Sequence, residues 1–292
     1  MPKSVLITGC SAGGIGFSLA KSFQNRGVTV FATARDLSKM SGLEKLPNIV
    51  LLPLDVTSPS SIADVVEAVK AKTGGKLDYL VNNSGRQYVM PALDADIEEG
   101  KRMFDVNFWG VLRMIQAFSE LLVESKGTIV NIGSIAAYLH SPYSSMSADN
   151  QFRSRVLTDP GIYNASKAAL HMFDETLRIE LAPLGVEVLT IVTGSIETAI
   201  LTNGPQPKVS PSSHYYSLEK DIKERAKGND GYKRMKADEF AEGVVGDVLR
   251  GATGKVWRGE NATATRIASV LMPMPVMDRV LLNGTRLENP KS

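Results

Sequence analysis

At 292 residues the chain is long enough for one large α/β domain with a sizeable core, or for two small ones. A net charge of +2 leaves no electrostatic footprint for nucleic acid, and the single cysteine, Cys10, excludes an intrachain disulfide and accords with a reducing compartment. No uninterrupted apolar stretch is long enough to span a bilayer.

An apolar run begins at Ser4, so no secretory or mitochondrial leader is expected ahead of the fold. The chain reads as cytosolic or peripherally attached to a membrane. Val5-Leu6-Ile7 predicts a short buried strand. It runs into Thr8-Gly9-Cys10-Ser11-Ala12-Gly13-Gly14-Ile15-Gly16 and then a helical pattern from Phe17 to Phe23. Strand, glycine-rich turn and helix form the context in which a backbone approaches a pyrophosphate, with the free N–H groups of the helix N-terminus behind it. The second strand, 28–34, ends at Arg35 rather than at the carboxylate that would hold ribose hydroxyls. A guanidinium there can clamp a 2′-phosphate, which favours NADPH over NADH; the alternative is an Arg35 that faces solvent and pairs with Asp36.

The third strand, 49–54, closes at Asp55, placed either to accept from an adenine amine or to cap the helix that starts near Pro59. That helix, 60–72, carries Ile62, Val65, Val66 and Val69 as a one-sided core stripe. A fourth strand, 78–81, runs into Asn82-Asn83-Ser84-Gly85, polar groups at the carboxyl end of a parallel strand, where such sheets bind ligands. A long helix is predicted from Phe104 to about Val123. Asn107 lies within it, either helping to hold a water or satisfied locally on the helix. The fifth strand, 128–132, ends at Gly133-Ser134, and a serine there can donate to a substrate oxygen or merely cap a turn.

Tyr163 and Lys167 in Tyr163-Asn164-Ala165-Ser166-Lys167 lie four residues apart, about one helical turn, so both side chains share a face. A free phenol titrates near ~10. A lysine charge beside it favours the phenolate and makes it a proton donor and acceptor suited to a carbonyl or an alcohol. A helix over 168–181, a sixth strand over 187–192, a helix over 237–250 and a last strand over 255–258 complete the pattern. Between them, 199–236 is polar and rich in Pro, Ser and Lys. Its excess of cations allows an anionic substrate group, but a solvated helix face over 216–227 is the simpler reading. The tail, 267–277, is apolar and broken by two prolines; it could wall a pocket, rest on a membrane or form a subunit contact.

Taken in order, the glycine loop, Asn82-Asn83-Ser84-Gly85, an Asn in the next helix, a strand-end Ser and Tyr163-x-x-x-Lys167 resemble the short-chain dehydrogenase/reductase family from about Ser4 to Val192. The resemblance implies a single Rossmann-type α/β domain, a doubly wound parallel sheet of about seven strands with helices on both faces. It implies a cofactor-binding and catalytic core over 1–198, a substrate lid over 199–236 and a C-terminal helix, strand and tail over 237–292. It also implies NADP(H) as cofactor and a homo-oligomer. Carried over, Ser134 orients the carbonyl and Tyr163 supplies the proton. Lys167 lowers the tyrosine pKa and binds the nicotinamide ribose, and Asn107 supports a water relay. The implied cofactor contacts are Gly9, Ser11, Gly14, Ile15, Gly16, Arg35, Asp55, Val56, Asn82, Gly85, Tyr163, Lys167, Ile196 and Thr198, with no metal.

Three departures stand out. The glycine loop has one residue more than the commonest form, leaving Gly13 and Gly14 both candidates for the turn. Thr193 replaces the usual proline before Gly194. The segment 143–160 lengthens the serine-to-tyrosine spacing by roughly fifteen residues. It is either an active-site loop or a translated intron, since Ser145 joined to Ile162 restores the family spacing. The expected activity is interconversion of a ketone and a secondary alcohol on a bulky, mostly apolar substrate, as in a tailoring step of a fungal secondary-metabolite pathway. The alternatives are reduction of a 1-acyl-dihydroxyacetone phosphate and a catalytically silent cofactor-binding protein.

Overall fold

Short apolar runs flanked by glycine-rich or polar turns become seven parallel strands in a computed structural model. It describes residues 2–139, 161–198, 200, 204–228 and 233–282. The insertion 143–160 lies outside the described residues. In chain order the strands are β1 (Ser4–Ile7), β2 (Thr29–Ala34), β3 (Ile49–Pro53), β4 (Tyr79–Asn82), β5 (Thr128–Ile132), β6 (Glu187–Thr193) and β7 (Gly254–Arg258). Their order across the sheet is β3-β2-β1-β4-β5-β6-β7, every pair parallel. Strand order therefore reverses between β1 and β4, and a crevice opens at the carboxyl ends there.

Side chains alternate across each strand, so the sheet feeds two cores. Val5 and Ile7 point to a layer closed by α1 (Ile15–Asn25) and α7 (Ala237–Leu249) through Leu19, Phe23, Phe240 and Val244. Leu6 points to the other layer, closed by α2 (Pro59–Thr73), α4 (Gly110–Ser125) and α5 (Gly161–Leu181) through Val65, Phe118 and Leu177. Burying Phe118 or Phe240 completely stabilises the fold by roughly 2–3 kcal/mol each.

Two helices differ from the sequence expectation. The predicted helix from Phe104 begins earlier, as α3 (Ile97–Phe104), where the Asp96 carboxylate accepts from the Glu98 N–H. It continues through one π-helical turn, Asp105–Trp109, into α4, and Asn107 sits in that wider turn. The segment read as a solvated helix face is α6 (Glu219–Ala226) behind a 3-10 turn, Tyr216–Leu218. Lys223 and Lys227 do pair with Glu219 and Glu224 on its outer side. Leu218, Ile222, Arg225 and Ala226, however, are buried against Tyr88, Met90 and Met103 or line the cleft. The charge run concealed an inner face.

The tail forms α8 (Ala262–Leu271) and α9 (Met274–Leu282), separated at Pro273. Ala262, Met277 and Leu281 pack on Ile135, Leu139 and Val192, behind the loop that carries Ser134. Ile267, Val270, Leu271 and Met274 remain exposed. Among the described residues no helix is long and apolar enough to cross a membrane.

Candidate active site

One cleft of about 830 Å³ runs along the carboxyl ends of the strands. The turn after β1 forms one end. Gly9 and Gly13 take left-handed backbone angles (φ +75° each), which glycine adopts without the Cβ clash. Gly13 is thus a turn residue, whereas Gly14 is extended, precedes α1 and lines the cleft with Gly9, Ser11 and Ile15. Gly16 does not line it. A Cβ there would lie 2.5 Å from the Gly9 carbonyl oxygen and 2.6 Å from Asn83 Nδ2, so its role is to let α1 close on the loop. No side chain caps the N-terminus of α1, which leaves its first N–H groups for a ligand.

Arg35, at the end of β2, is exposed and makes no hydrogen bond or ion pair among the described residues. Asp36 is engaged elsewhere, accepting from the N–H and hydroxyl of Ser38. The helix after β3 is capped by Ser58, which accepts from the Ser61 N–H, and Asp55 accepts instead from the N–H and hydroxyl of Thr57. Burial opposes ionisation of Asp55, but these two donors and the Arg35 charge hold its carboxyl below the usual range. Asp55, Val56 and Gly85 line the cleft.

Asn82 does not. It is buried and its Nδ2 donates to Asn131 Oδ1 across β4 and β5 at 2.8 Å. The next residue, Asn83, faces the cleft. Its Nδ2 donates to the Thr8 and Gly9 carbonyls, and the Thr8 hydroxyl accepts from the Asn83 and Ser84 N–H groups. The Asn82 side chain thus braces the sheet. The end of the strand puts Asn82 into the sheet and leaves Asn83 as the first residue outside it.

Ser134, Tyr163 and Lys167 line the same wall of the cleft. The Ala136 N–H donates to Ser134 Oγ at 3.1 Å. Lys167 Nζ lies 5.9 Å from the centre of the Tyr163 ring and donates to the Ile132 carbonyl at 2.9 Å. Burial pushes the Lys167 ammonium down to about 8, against the opposing pull of Asp174. Asp174 itself is pushed up to about 6 by burial, although Thr190, Asn131 and Lys167 favour its charge. A chain of contacts thus runs Asn82–Asn131–Asp174–Thr190 beneath the site. Asn107 is not in the cleft wall, nor is it satisfied on its own helix. Its Oδ1 accepts from the Arg86 N–H, and its Nδ2 donates to the Arg86 carbonyl and Ser166 Oγ. The amide ties the loop after β4 to α5. Ile196 and Thr198 also line the cleft, and Ile196 bridges to Met235.

The family model for short chain dehydrogenases matches residues 3–208 of this chain. The chain belongs to the short-chain dehydrogenase family. Among relatives, a short-chain dehydrogenase of Penicillium ochrochloron, ptmH, is 46% identical over 279 residues, covering 95% of this chain and 96% of its own. An NADPH-dependent 1-acyldihydroxyacetone phosphate reductase of Schizosaccharomyces pombe is 39% identical over 284 residues, covering 92% and 90%. A short chain dehydrogenase from Burkholderia cenocepacia, solved in complex with NADP, superposes with a TM-score of 0.72 at 25% identity, covering 96% and 98%.

As a member of the family the chain is an oxidoreductase acting on a small molecule. The sequence missed Asn83, whose motif was noted but whose orientation was not. It also missed Arg86, Arg225 and Arg234 in the cleft wall, and His171 and Asp174 beneath it. A Tyr163, Lys167, His171 spacing of four residues on one helical face was the available signal for His171.

Proposed function

We propose that the chain is an NADPH-dependent carbonyl reductase, or the reverse alcohol dehydrogenase, acting on a bulky and mostly apolar ketone. The observation that carries this is that Ser134, Tyr163 and Lys167 line the same cleft as the glycine turn, while Arg35 stands unengaged at its rim. The residues fit the cofactor. Gly9 and Gly14 open the turn to a diphosphate, α1 offers unsatisfied N–H groups, and Arg35 offers a cation to a 2′-phosphate. Lys167 is placed for the ribose beside the ring. When bound, the nicotinamide supplies the hydride.

The chain's own part is proton delivery and charge stabilisation. Tyr163 gives its phenolic proton to the oxygen that gains charge, and the Ser134 hydroxyl donates to the same oxygen. The neighbouring ammonium lowers the cost of the phenolate left behind. Ser134 Oγ already accepts from the Ala136 N–H, which leaves its proton to point into the cleft. Asn107 works through its ties to Arg86 and α5, holding the loop rather than touching substrate.

The bulky, apolar substrate is inferred from the apolar cluster that Tyr163 belongs to, together with Tyr88, Met90, Leu218 and Ile222. Two of these come from 199–236, the segment we infer to be a lid over the core 1–198, with 237–292 closing the same domain. The cations Arg225 and Arg234 in the cleft wall favour a second reading, an acylated phosphate substrate like that named for the S. pombe relative. Exposed Trp109 at the end of the π-helical turn, with Met172 and Ile179 on α5, supports a homo-oligomer. The deciding experiment follows nicotinamide absorbance with purified protein and a panel of bulky ketones. Turnover lost in Tyr163→Phe, with NADPH binding kept, is expected. Cofactor binding without turnover in the wild type overturns the reductase reading in favour of a silent homologue.

A further inference from the structure

The loop carrying Ser134 is held from below by a side chain that the proposed chemistry does not use. The Ser134 backbone N–H donates to His171 Nε2 at 3.2 Å. The approach is close because residue 133 is glycine, since a Cβ at that position would overlap the imidazole. Two residues on, the Ala136 N–H closes on Ser134 Oγ, so one short turn fixes both backbone and hydroxyl. His171 is buried, on the same face of α5 as Tyr163 and Lys167 and one turn below Lys167.

Building on the reductase reading above, we propose that His171 is a positioning residue for Ser134: a neutral imidazole whose Nε2 acceptor sets the serine hydroxyl against the Tyr163 side of the cleft. An N–H donor on its nitrogen requires that Nε2 carry no proton, so the tautomer is Nδ1–H. The surroundings favour neutrality. Lys167 on the same helix and Lys255 on β7 repel a further positive charge, Asp174 lies three positions on along α5, and the Tyr138 ring centre is 5.4 Å from that of the imidazole. Burial, with those two lysines, pushes the imidazole down to about 3. Nδ1 is buried with no hydrogen-bond partner among the described residues.

Two measurements on the full-length protein test this. The first is long-range proton–nitrogen NMR, which is practicable because the chain has only three histidines. One imidazole should stay neutral as the Nδ1–H tautomer from about pH 5 to about pH 9, its signals absent from His171→Gln. Titration near the ordinary imidazole value, or an Nε2–H tautomer, overturns the proposal. The second compares His171→Leu and His171→Gln in wild-type and Ser134→Ala backgrounds. His171→Leu should lower kcat roughly tenfold, less than the ~10²-fold loss of an oxyanion donor itself, without moving the Kd for NADPH. Glutamine, whose amide oxygen can accept the same N–H, should restore most of the rate. In the Ser134→Ala background His171→Leu should cost nothing further. Equal losses in both backgrounds, or a glutamine variant as slow as the leucine one, would show mere packing and sink the idea. A wild type that turns over no ketone refutes the functional reading instead, and the NMR result then decides His171 alone.

Discussion

Replacing Asp174 by Asn removes the anion beneath Lys167 while keeping side-chain size. The two residues lie seven positions apart on α5, about 10 Å along the axis. Taking that axial separation for the two charges, an effective dielectric of about 20 gives an interaction of about 1.7 kcal/mol, or roughly one pKa unit. Asp174 is ionised above about 6, so at pH 8 it is an anion that helps Lys167 keep its proton. Without it the Lys167 ammonium should deprotonate near pH 7 rather than near 8. The alkaline limb of kcat/KM against pH, measured at limiting NADPH so that it reports the free enzyme, should therefore move down by about one unit. An unmoved limb, or one displaced upward, would refute the coupling.

Stability supplies an independent check on the same variant. Because the folded-state pKa of Asp174 is raised, its stabilising contribution is fully present below the unfolded value of 3.8 and is lost as pH rises through about 6. Ionised Asp174 thus costs about 3 kcal/mol at neutral pH, a cost that Asn avoids. The amide instead sets an N–H against the Asn131 donor or the Thr190 hydroxyl, at about 1–3 kcal/mol. Denaturant melts should show the variant gaining about 2 kcal/mol on wild type between pH 4 and pH 8. A difference that does not vary with pH would mean that Asp174 is not buried as a carboxylate.

Arg35→Ala should weaken NADPH by about 2 kcal/mol, roughly 30-fold, and leave NADH almost untouched, as read by nicotinamide fluorescence titration. Equal losses for both cofactors would remove the 2′-phosphate assignment. Gly16→Ala must displace the Gly9 carbonyl or Asn83, and should cost about 1–3 kcal/mol with weaker NADPH binding. A thermal melt and a cofactor titration both at wild-type values would show that the turn accommodates a methyl group.

Period and punctuation in the sequence determined the scaffold. Apolar, β-branched runs such as Val5-Leu6-Ile7 and Thr128–Ile132, short and bounded by turn residues, read as buried strands, the glycine-rich turn leads directly into α1, and a four-residue spacing puts Tyr163 and Lys167 on one face of a helix. These are local properties, set by backbone geometry within a few residues. The tertiary structure decided which polar groups meet. Asn82 turned to Asn131 and left Asn83 to the cleft, Asn107 found Arg86 and Ser166, and Ser134 found His171 thirty-seven positions away. Those partners depend on strand register and on how closely helices approach the sheet. A single chain read alone carries that information only in its packing, and the inner face of α6 stayed hidden behind its own charges for the same reason.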